Sequence, residues 1–167
     1  MKTTEITIHT DGCCLGNPGK GGFAAVVRRY ENGVEIKKRV VSKNAPETTN
    51  NRMELMAAIT ALELLTEGCE VTLFSDSRYL VDAMTKGWLT GWKKKGWRKA
   101  DKKPVLNRDL WERLDRAVAG HHVTWKWVKG HAGHPLNERC DELVHEAIDA
   151  GGLQEDLGYR AQQGGEG

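Results

Sequence analysis

The chain has 167 residues, 39% of them hydrophobic and 29% charged, with a formal net charge of +2 at pH 7. These values favour one compact domain of ordinary globular composition. No apolar run approaches the roughly 18 residues of a membrane-spanning helix, and four cysteines are too few for a disulfide scaffold. The N-terminal residues lack the apolar core of a signal peptide, so we expect a cytoplasmic protein, with a monomer as the default.

The small net charge conceals an uneven distribution. Between Lys86 and Lys103 the chain carries eight basic residues and one acid, Asp101. This segment has a charge of +7, which leaves −5 for the rest of the chain because the total is +2. A basic segment on an acidic body indicates a local contact surface for a polyanion.

Three strands are predicted in the first part of the chain. Residues 5–11 alternate between apolar and polar, and Asp11 ends that strand. Four glycines and a proline between Cys13 and Gly22 indicate a loop in which the backbone approaches another group closely. Asn32-Gly33 is a strong hairpin signal between strands at 23–30 and 34–42. The first three strands therefore form a predicted antiparallel meander.

The first helix is predicted from Asn50 to about residue 67. Asn51 and Glu54 have the spacing of a capping box, which gives Glu54 a purely structural interpretation. Helical spacing allows a second interpretation, because Glu54 also heads an inward-facing row with Ala58, Ala61 and Leu65. Both interpretations stay open at this point.

Asp76 follows a short apolar strand at 70–74, and a second helix is predicted from about 77 to 85. Aspartate is a favoured helix N-cap, so Asp76 has a structural interpretation. The carboxyl ends of parallel strands are also where open α/β sheets bind ligands. The position alone does not choose between a cap and a functional site.

The basic segment contains three of the six tryptophans, Trp88, Trp92 and Trp97, interleaved with lysines and arginines. A charged run is commonly only a solvated face. Tryptophan beside Lys and Arg is better explained by packing on sugars or bases combined with phosphate contacts. We therefore predict that this segment, residues 87–104, is a basic arm that contacts nucleic acid.

The last part of the chain is predicted to contain a helix at 107–120, a strand at 122–128, a glycine-rich loop and a final helix. That helix begins near Pro135 and ends near residue 150. Asp141 lies on its inward row. We expect one domain over residues 1–150 and a flexible polar C-terminal tail over residues 151–167.

Four acids, Asp11, Glu54, Asp76 and Asp141, thus occupy strand ends or inward helix positions. Carboxylates brought together repel one another unless a cation neutralises them. Oxygen-only ligands favour hard cations such as Mg²⁺ or Mn²⁺, and two such ions support phosphodiester cleavage. With the basic arm, these acids predict a phosphodiesterase that acts on nucleic acid.

The same residues closely resemble bacterial type 1 ribonuclease H over nearly the whole chain. The motifs that carry the resemblance occur in the order of that family: Asp11-Gly12, Gly16-Asn17-Pro18-Gly19, Thr49 to Leu55, Asp76-Ser77, Trp92-Lys93-Lys94, Val128 to Pro135 and Asn137 to Asp141. The resemblance implies an α/β ribonuclease H-like fold, a five-stranded mixed sheet flanked by helices, in which the first three strands are antiparallel and the others parallel.

The resemblance also implies an activity and a site. The expected enzyme is a Mg²⁺-dependent endonuclease that cuts the RNA strand of RNA–DNA hybrids with two metal ions, with Mn²⁺ a possible substitute. It would have little sequence preference and leave 5′-phosphate and 3′-hydroxyl ends. By resemblance, Asp11, Glu54, Asp76 and Asp141 hold the metal ions, and His131 in the glycine-rich loop assists proton transfer or product release.

Substrate contacts are expected on both strands of the hybrid. The RNA-side residues are Cys14, Asn17, Asn50 and Asn51. The remaining expected contacts are Thr49, Arg78, Trp88, Trp92, Lys93, Lys94, Lys95, Trp97 and Lys99. Two positions depart from the family pattern: Arg78 replaces a common Gln, and Gly91 replaces an Asn that helps to bind a DNA phosphate.

Alternatives remain. His131 could be an ordinary surface residue, or part of a zinc site with His134 and Cys140. The whole chain could be a non-catalytic module that binds hybrids or double-stranded RNA, or another nuclease or transferase of the same fold. The four acids argue against a pure binder, and the His131 loop with the basic arm argues against a resolvase or an integrase core.

Overall fold

The computed structural model describes residues 4–16, 18–66, 68–99 and 101–129, together with residues 144 and 146. The predicted final helix, the domain boundary near residue 150 and the tail at 151–167 lie outside these residues, except that residues 144 and 146 are helical. The elements in chain order are β1 (Thr4–Leu15), β2 (Gly19–Glu31), β3 (Val34–Thr48), α1 (Asn50–Glu63), β4 (Glu70–Ser75), α2 (Arg78–Thr85), α3 (Trp88–Lys94), α4 (Arg108–Val118) and β5 (His122–Trp127).

The five strands form one mixed sheet in the order β3-β2-β1-β4-β5. The pairs β1–β2 and β2–β3 are antiparallel, whereas β1–β4 and β4–β5 are parallel. The predicted sheet is therefore confirmed. The parallel pairing of β1 with β4 ends at His9 and Phe74. Asp11 and Asp76 each follow that last pair by two residues, so both lie where the parallel pairing ends, although Asp11 is still paired with Ala24 of β2.

The glycine-rich segment that was predicted to be a loop is mostly strand. β1 and β2 continue their pairing as far as Leu15 and Lys20, so only a short turn separates them. Glycine at positions 12 and 21 permits this extended pairing. A Cβ on Gly12 would lie 2.5 Å from the backbone carbon of Met53, and one on Gly21 would lie 2.4 Å from Cγ2 of Thr48. The glycines serve close packing within the sheet and against α1. The other hairpin follows the prediction, with positive φ at both Asn32 and Gly33.

The N-cap of α1 is Thr49, whose side chain accepts a hydrogen bond from the backbone amide of Arg52. The capping-box interpretation of Asn51 and Glu54 is therefore wrong. The predicted inward row is confirmed for Glu54, Ala58 and Ala61, which are all buried. Leu65 lies beyond the end of the helix but still packs against the core.

Helix α3, inside the basic arm, was not predicted. It has only seven residues, begins after Gly87 in a left-handed conformation and contains Gly91, so its sequence shows little helical periodicity. Tertiary packing stabilises it. Leu89 is buried, and the Trp92 ring lies 5.3 Å from the Trp111 ring between centroids.

The main core lies between one face of the sheet and helices α1, α2 and α4. Its members are mostly aliphatic, with the fully buried Trp111 as the largest. Val144 packs on the opposite face of the sheet against Ala24 and Val26. In the described part of the chain, no helix combines the length and apolar character needed to cross a membrane.

Candidate active site

Asp11 is held at the edge of the sheet by a close approach between β1 and α1. Its Oδ1 accepts a 3.0 Å hydrogen bond from the backbone amide of Gly12. A side chain at Gly12 would overlap the backbone of Met53 and Glu54, at 2.5–2.7 Å. The absence of that side chain lets the first turn of α1 lie directly against the strand. Glu54 is thereby brought beside Asp11.

Asp76 completes the group from the end of β4. The helix cap here is Ser77, whose hydroxyl accepts from the backbone amide of Leu80 at 3.2 Å. The hydroxyl of the buried Ser75 accepts from the amide of Ser77 at 3.0 Å. The cap interpretation of Asp76 is therefore wrong, because two serines satisfy the helix start. The Asp76 carboxylate is left to face the cleft.

Asp11, Glu54 and Asp76 each offer an oxygen atom that lies within 4.8 Å of the others. Asp11 and Glu54 are buried, and Asp76 is half-buried. In the described part of the chain, Oε2 of Glu54 is buried without a hydrogen-bond partner. An oxygen-only donor set with an unsatisfied buried carboxylate oxygen fits a hard divalent cation such as Mg²⁺.

Burial raises the pKa of Glu54 well above its usual range, and the negative charges of Asp11 and Asp76 raise it further. A hydrogen bond with the Asp76 carboxyl acts in the same direction, and one from the Gly12 backbone opposes the rise. In the absence of a cation, the three carboxylates therefore repel one another when all are ionised. A bound cation removes this conflict because it attracts all three carboxylates.

The acids open into a cleft of about 390 Å³. Three of the expected substrate contacts line it: Asn50 and Asn51, which are exposed on the first turn of α1, and Arg78. The Arg78 guanidinium lies 3.9 Å from the centre of the Trp127 ring. This stacking holds a positive charge at the rim of the acidic cleft.

Two other expected contacts support the chain near the cleft. The Cys14 thiol lies 3.2 Å from the carbonyl oxygens of both Gly19 and Thr48, and burial raises its pKa. It is therefore a neutral hydrogen-bonding group that ties β1 to β2 and β3. The Thr49 hydroxyl is used as the cap of α1. Any contact of these residues with the hybrid involves their backbone groups or the remaining hydrogen-bonding capacity of the hydroxyl.

The basic arm does not line the cleft, and its side chains differ in availability. Lys94 and Lys95 are exposed, whereas the ammonium nitrogen of Lys93 lies 2.9 Å from an Asp115 carboxylate oxygen. Lys99 lies 4.0 Å from Asp101. Trp88 is 40% exposed. The other two arm tryptophans are half-buried: Trp92 against Trp111, and Trp97 beneath the Arg108 guanidinium.

A buried polar network behind the cleft was not predicted. The Arg52 guanidinium, 1% exposed, donates to both carboxylate oxygens of Asp109 at 2.9 and 2.7 Å, and to Asn107 at 3.2 Å. The Tyr79 hydroxyl accepts from Asn107 and from the Trp111 indole, each at 3.1 Å. The network joins α1, which carries Glu54, to α2 and α4. The network is recognised in the structure from the two hydrogen bonds between Arg52 and Asp109. It could not be predicted because no local sequence pattern encodes this geometry.

Three predicted site residues lie outside the described residues: Asn17, His131 and Asp141. The alternative zinc ligands His134 and Cys140 do so as well. Within the described part, Asp11, Glu54 and Asp76 are the one group of three residues that could hold a metal ion. Two cleft-lining residues, Cys13 and Tyr79, had no predicted role. The Trp127 indole, which stacks on Arg78, likewise had no predicted role.

Comparison with known proteins agrees over most of the chain. The family model described as RNase H matches residues 3–149. The ribonuclease H of Nitratidesulfovibrio vulgaris is 52% identical over 161 residues, which cover 96% of this chain and 100% of that protein. The ribonuclease H of Citrobacter koseri is 54% identical over 158 residues, which cover 95% of this chain and 97% of that protein.

Solved structures show the same architecture. LC9-RNase H1, a type 1 RNase H with the type 2 active-site motif, superposes with a TM-score of 0.79 at 36% identity, covering 89% of this chain and 74% of that one. LC11-RNase H1, solved in complex with an RNA/DNA hybrid, superposes with a TM-score of 0.61 at 30% identity. The match covers 87% of this chain and 97% of that one. The chain therefore belongs to the RNase H family of nucleases.

Proposed function

We propose that this enzyme hydrolyses phosphodiester bonds in the RNA strand of RNA–DNA hybrids by two-metal-ion catalysis, leaving 5′-phosphate and 3′-hydroxyl ends. The observation that carries the proposal is the convergence of Asp11, Glu54 and Asp76, whose oxygens lie within 4.8 Å of one another in an open cleft. Three carboxylates without a cation would only repel a phosphate. Their concentration at a nucleic-acid cleft is explained if they hold metal ions.

In this proposal, Asp11, Glu54 and Asp76 are metal ligands, and Asp141 is the fourth. When bound there, Mg²⁺ supplies activation of the attacking water and charge neutralisation at the phosphate and leaving oxygen. The carboxylates orient that chemistry at the end of the β1–β4 ladder. His131, whose ordinary pKa lies near neutrality, carries a proton to or from the reacting phosphate or promotes product release.

Recognition of the hybrid depends on groups that do not read base identity. Asn50 and Asn51 present amides at the cleft, which Cys13, the neighbour of Cys14 on β1, also lines. Such groups donate to and accept from the 2′-hydroxyls of an RNA strand in a wide minor groove. The relative LC11-RNase H1 was solved with an RNA/DNA hybrid, which supports the same substrate class here. Little sequence preference follows.

The DNA strand is assigned to the basic arm and its neighbours. Lys94, Lys95 and the exposed Trp88 carry most of this contact, because Lys93 is paired with Asp115. Lys99, Trp92, Trp97 and Thr49 contribute mainly by shaping the surface. Arg78 extends the positive charge to the cleft rim. We also propose that the enzyme acts as a cytoplasmic monomer and accepts Mn²⁺ in place of Mg²⁺.

The experiment compares three end-labelled substrates in Mg²⁺: RNA–DNA hybrid, double-stranded RNA and DNA duplex. The wild-type protein should cut only the RNA strand of the hybrid. Asp76→Asn should abolish cleavage, whereas Asp82→Asn, which removes a carboxylate from α2 outside the cleft, should not. Cleavage of DNA duplex, or a wild-type rate in Asp76→Asn, would contradict the proposal. The chemistry of the new ends is read by ligation and phosphatase sensitivity.

A further inference from the structure

A second cavity lies at the other end of the sheet from the acid group. Its volume is about 160 Å³, and residues from β1, β2, β3 and the end of α1 line it. Ile6 in its floor precedes Asp11 by five residues along β1, which corresponds to roughly 17 Å of extended strand. The two cavities share no lining residue. This cavity is therefore independent of the hybrid cleft.

The interior of the cavity is apolar. Ile6 and Val27 form a buried floor, at 3% and 7% exposure. Leu64 and Leu65 form a half-buried wall just beyond the end of α1. The half-buried leucines leave apolar surface in contact with water. Binding is favourable for a guest that covers this surface and displaces the water.

The rim of the cavity is positively charged. Arg29, Lys37 and Arg39 line it, and none of its described lining residues is acidic. Arg29 lies directly opposite Lys37 across the β2–β3 pair, where like charges destabilise one another. Within the described part of the chain, no carboxylate forms an ion pair with any of the three. By contrast, the neighbouring Arg28 is paired with Glu35 at 2.7 Å.

Arg29 shows the clearest unmet requirement. Its Nε is buried and has no hydrogen-bond partner among the residues that the structure describes. A buried unsatisfied donor costs free energy, and a carboxylate beside it can accept from Nε and a terminal nitrogen together. The Thr66 hydroxyl and the Cys69 thiol add two weaker polar groups at the same rim.

We propose that this cavity binds a small amphipathic monocarboxylate, an aromatic acid of the size of benzoate, with its ring on Ile6 and Val27 and its carboxylate on Arg29. The size is argued from volume, because an apolar cavity of about 150 Å³ holds benzene. The charge is argued from three cations over an apolar floor, none of which has an ion-pair partner among the described residues. A nucleic-acid phosphate would satisfy the cations but leave the apolar floor empty.

Occupancy would stabilise the folded protein because the guest bridges the β1–β3 meander and the end of α1. A ligand that binds only the folded state stabilises it in proportion to the logarithm of its concentration above Kd. The effect needs no metal ion. It should therefore be present in EDTA, where the cleft cannot bind Mg²⁺.

The test is a titration of the full-length protein with benzoate in EDTA, followed by backbone amide chemical shifts. We expect saturable shifts at Ile6, Val27 and Leu65 with a Kd of about 1 mM, as expected for a nine-atom ligand. Benzyl alcohol, which has the ring without the charge, and inorganic phosphate, which has the charge without the ring, should each bind at least about tenfold more weakly. Equal binding by either would overturn the proposed class.

Three variants locate the site. Arg29→Gln should weaken benzoate binding at least about fivefold, because it removes the charge-assisted hydrogen bond. Arg28→Gln, on the other face of the same strand, should leave Kd unchanged. Leu65→Phe, which fills the cavity, should abolish binding. Shifts confined to the acid cleft, equal effects of the two arginine variants, or displacement of benzoate by an RNA–DNA hybrid would each overturn the proposal.

Discussion

The indole Nε1 of Trp127 donates a 3.1 Å hydrogen bond to the backbone carbonyl oxygen of Asp76. The same ring supports the Arg78 guanidinium at 3.9 Å. One side chain from the end of β5 therefore orients a proposed metal ligand and a proposed phosphate contact together. Outer groups that orient metal ligands commonly affect metal affinity by 10–100-fold.

Replacing this ring tests its orienting role. Trp127→Phe should raise the Mg²⁺ concentration needed for half-maximal hybrid cleavage by about tenfold, because Asp76 loses its hydrogen bond. The measurement is a Mg²⁺ titration of the cleavage rate. Trp125→Phe is the control, since Trp125 lies on the same strand and packs on the core. It should lower thermal stability without changing the Mg²⁺ requirement; an equal Mg²⁺ shift in both variants would contradict the orienting role.

The raised pKa of Glu54 predicts a stability gain from its neutralisation. Because folding raises this pKa, the contribution of the carboxyl to stability is fully present below its unfolded value of about 4.3 and is lost as pH rises through its folded value. In EDTA, Glu54→Gln should therefore match the wild type near pH 4. At pH 8 it should be more stable by about 0.5–2 kcal/mol.

Adding Mg²⁺ should reverse that order. Wild-type protein gains about 2.7 kcal/mol at a Mg²⁺ concentration 100 times Kd, and the variant, lacking a ligand, gains less. Denaturant unfolding at several pH values, with and without Mg²⁺, measures both effects. If the variant were less stable than the wild type at pH 8 in EDTA, the like-charge account of this site would be wrong.

The buried Arg52 network predicts a large loss of stability from a distant change. Asp109→Ala removes the carboxylate that accepts two hydrogen bonds from the buried Arg52 guanidinium and should cost about 2–4 kcal/mol, since breaking a buried ion pair is expensive. Glu63→Ala removes the carboxylate from a half-exposed pair with Arg113 and should cost under about 1 kcal/mol. Urea denaturation compares the two. Similar losses of stability in the two variants would show that the burial of Arg52 does not determine the loss in Asp109→Ala.

The basic arm predicts a change in salt dependence. Lys94→Ala with Lys95→Ala should raise KM for the hybrid and reduce the slope of log K against log salt by about 1 per lysine that contacts a phosphate. Lys93→Ala should have a smaller effect because its charge is already balanced by Asp115. KM measured between 50 and 200 mM salt tests this. An unchanged slope in the double variant would remove the arm from the substrate interface.

Much of the site was predictable because it depends on short-range patterns. Alternation placed Asp11 at the end of its strand, although β1 continues past it to Leu15. Helical spacing placed Glu54 on the buried face of α1, and a strand end exposed Asp76. These inferences use strand and helix periods of two and 3.6 residues, which the sequence displays directly. The hairpin signal predicted the antiparallel meander, whereas the full mixed sheet was implied by the family resemblance.

What could not be predicted depends on contacts between distant residues. Thr49, not Asn51, caps α1 because the chain leaves β3 in an extended conformation at that residue. Helix α3 forms because Trp92 packs on Trp111, 19 positions away. Arg52 is a charged residue outside the inward row that Glu54 heads, yet it is among the most buried side chains. Its partner Asp109 is 57 positions away.

The most direct test of the proposed metal dependence of the cleft is a single-turnover assay on a hybrid with a labelled RNA strand. The wild-type protein in Mg²⁺ should cut the RNA, and EDTA should stop the reaction. Asp11→Asn should lower the cleavage rate by at least about 10³-fold, because several kcal/mol of transition-state stabilisation is lost. Cleavage in EDTA, or an Asp11→Asn rate within a few-fold of wild type, would contradict the account.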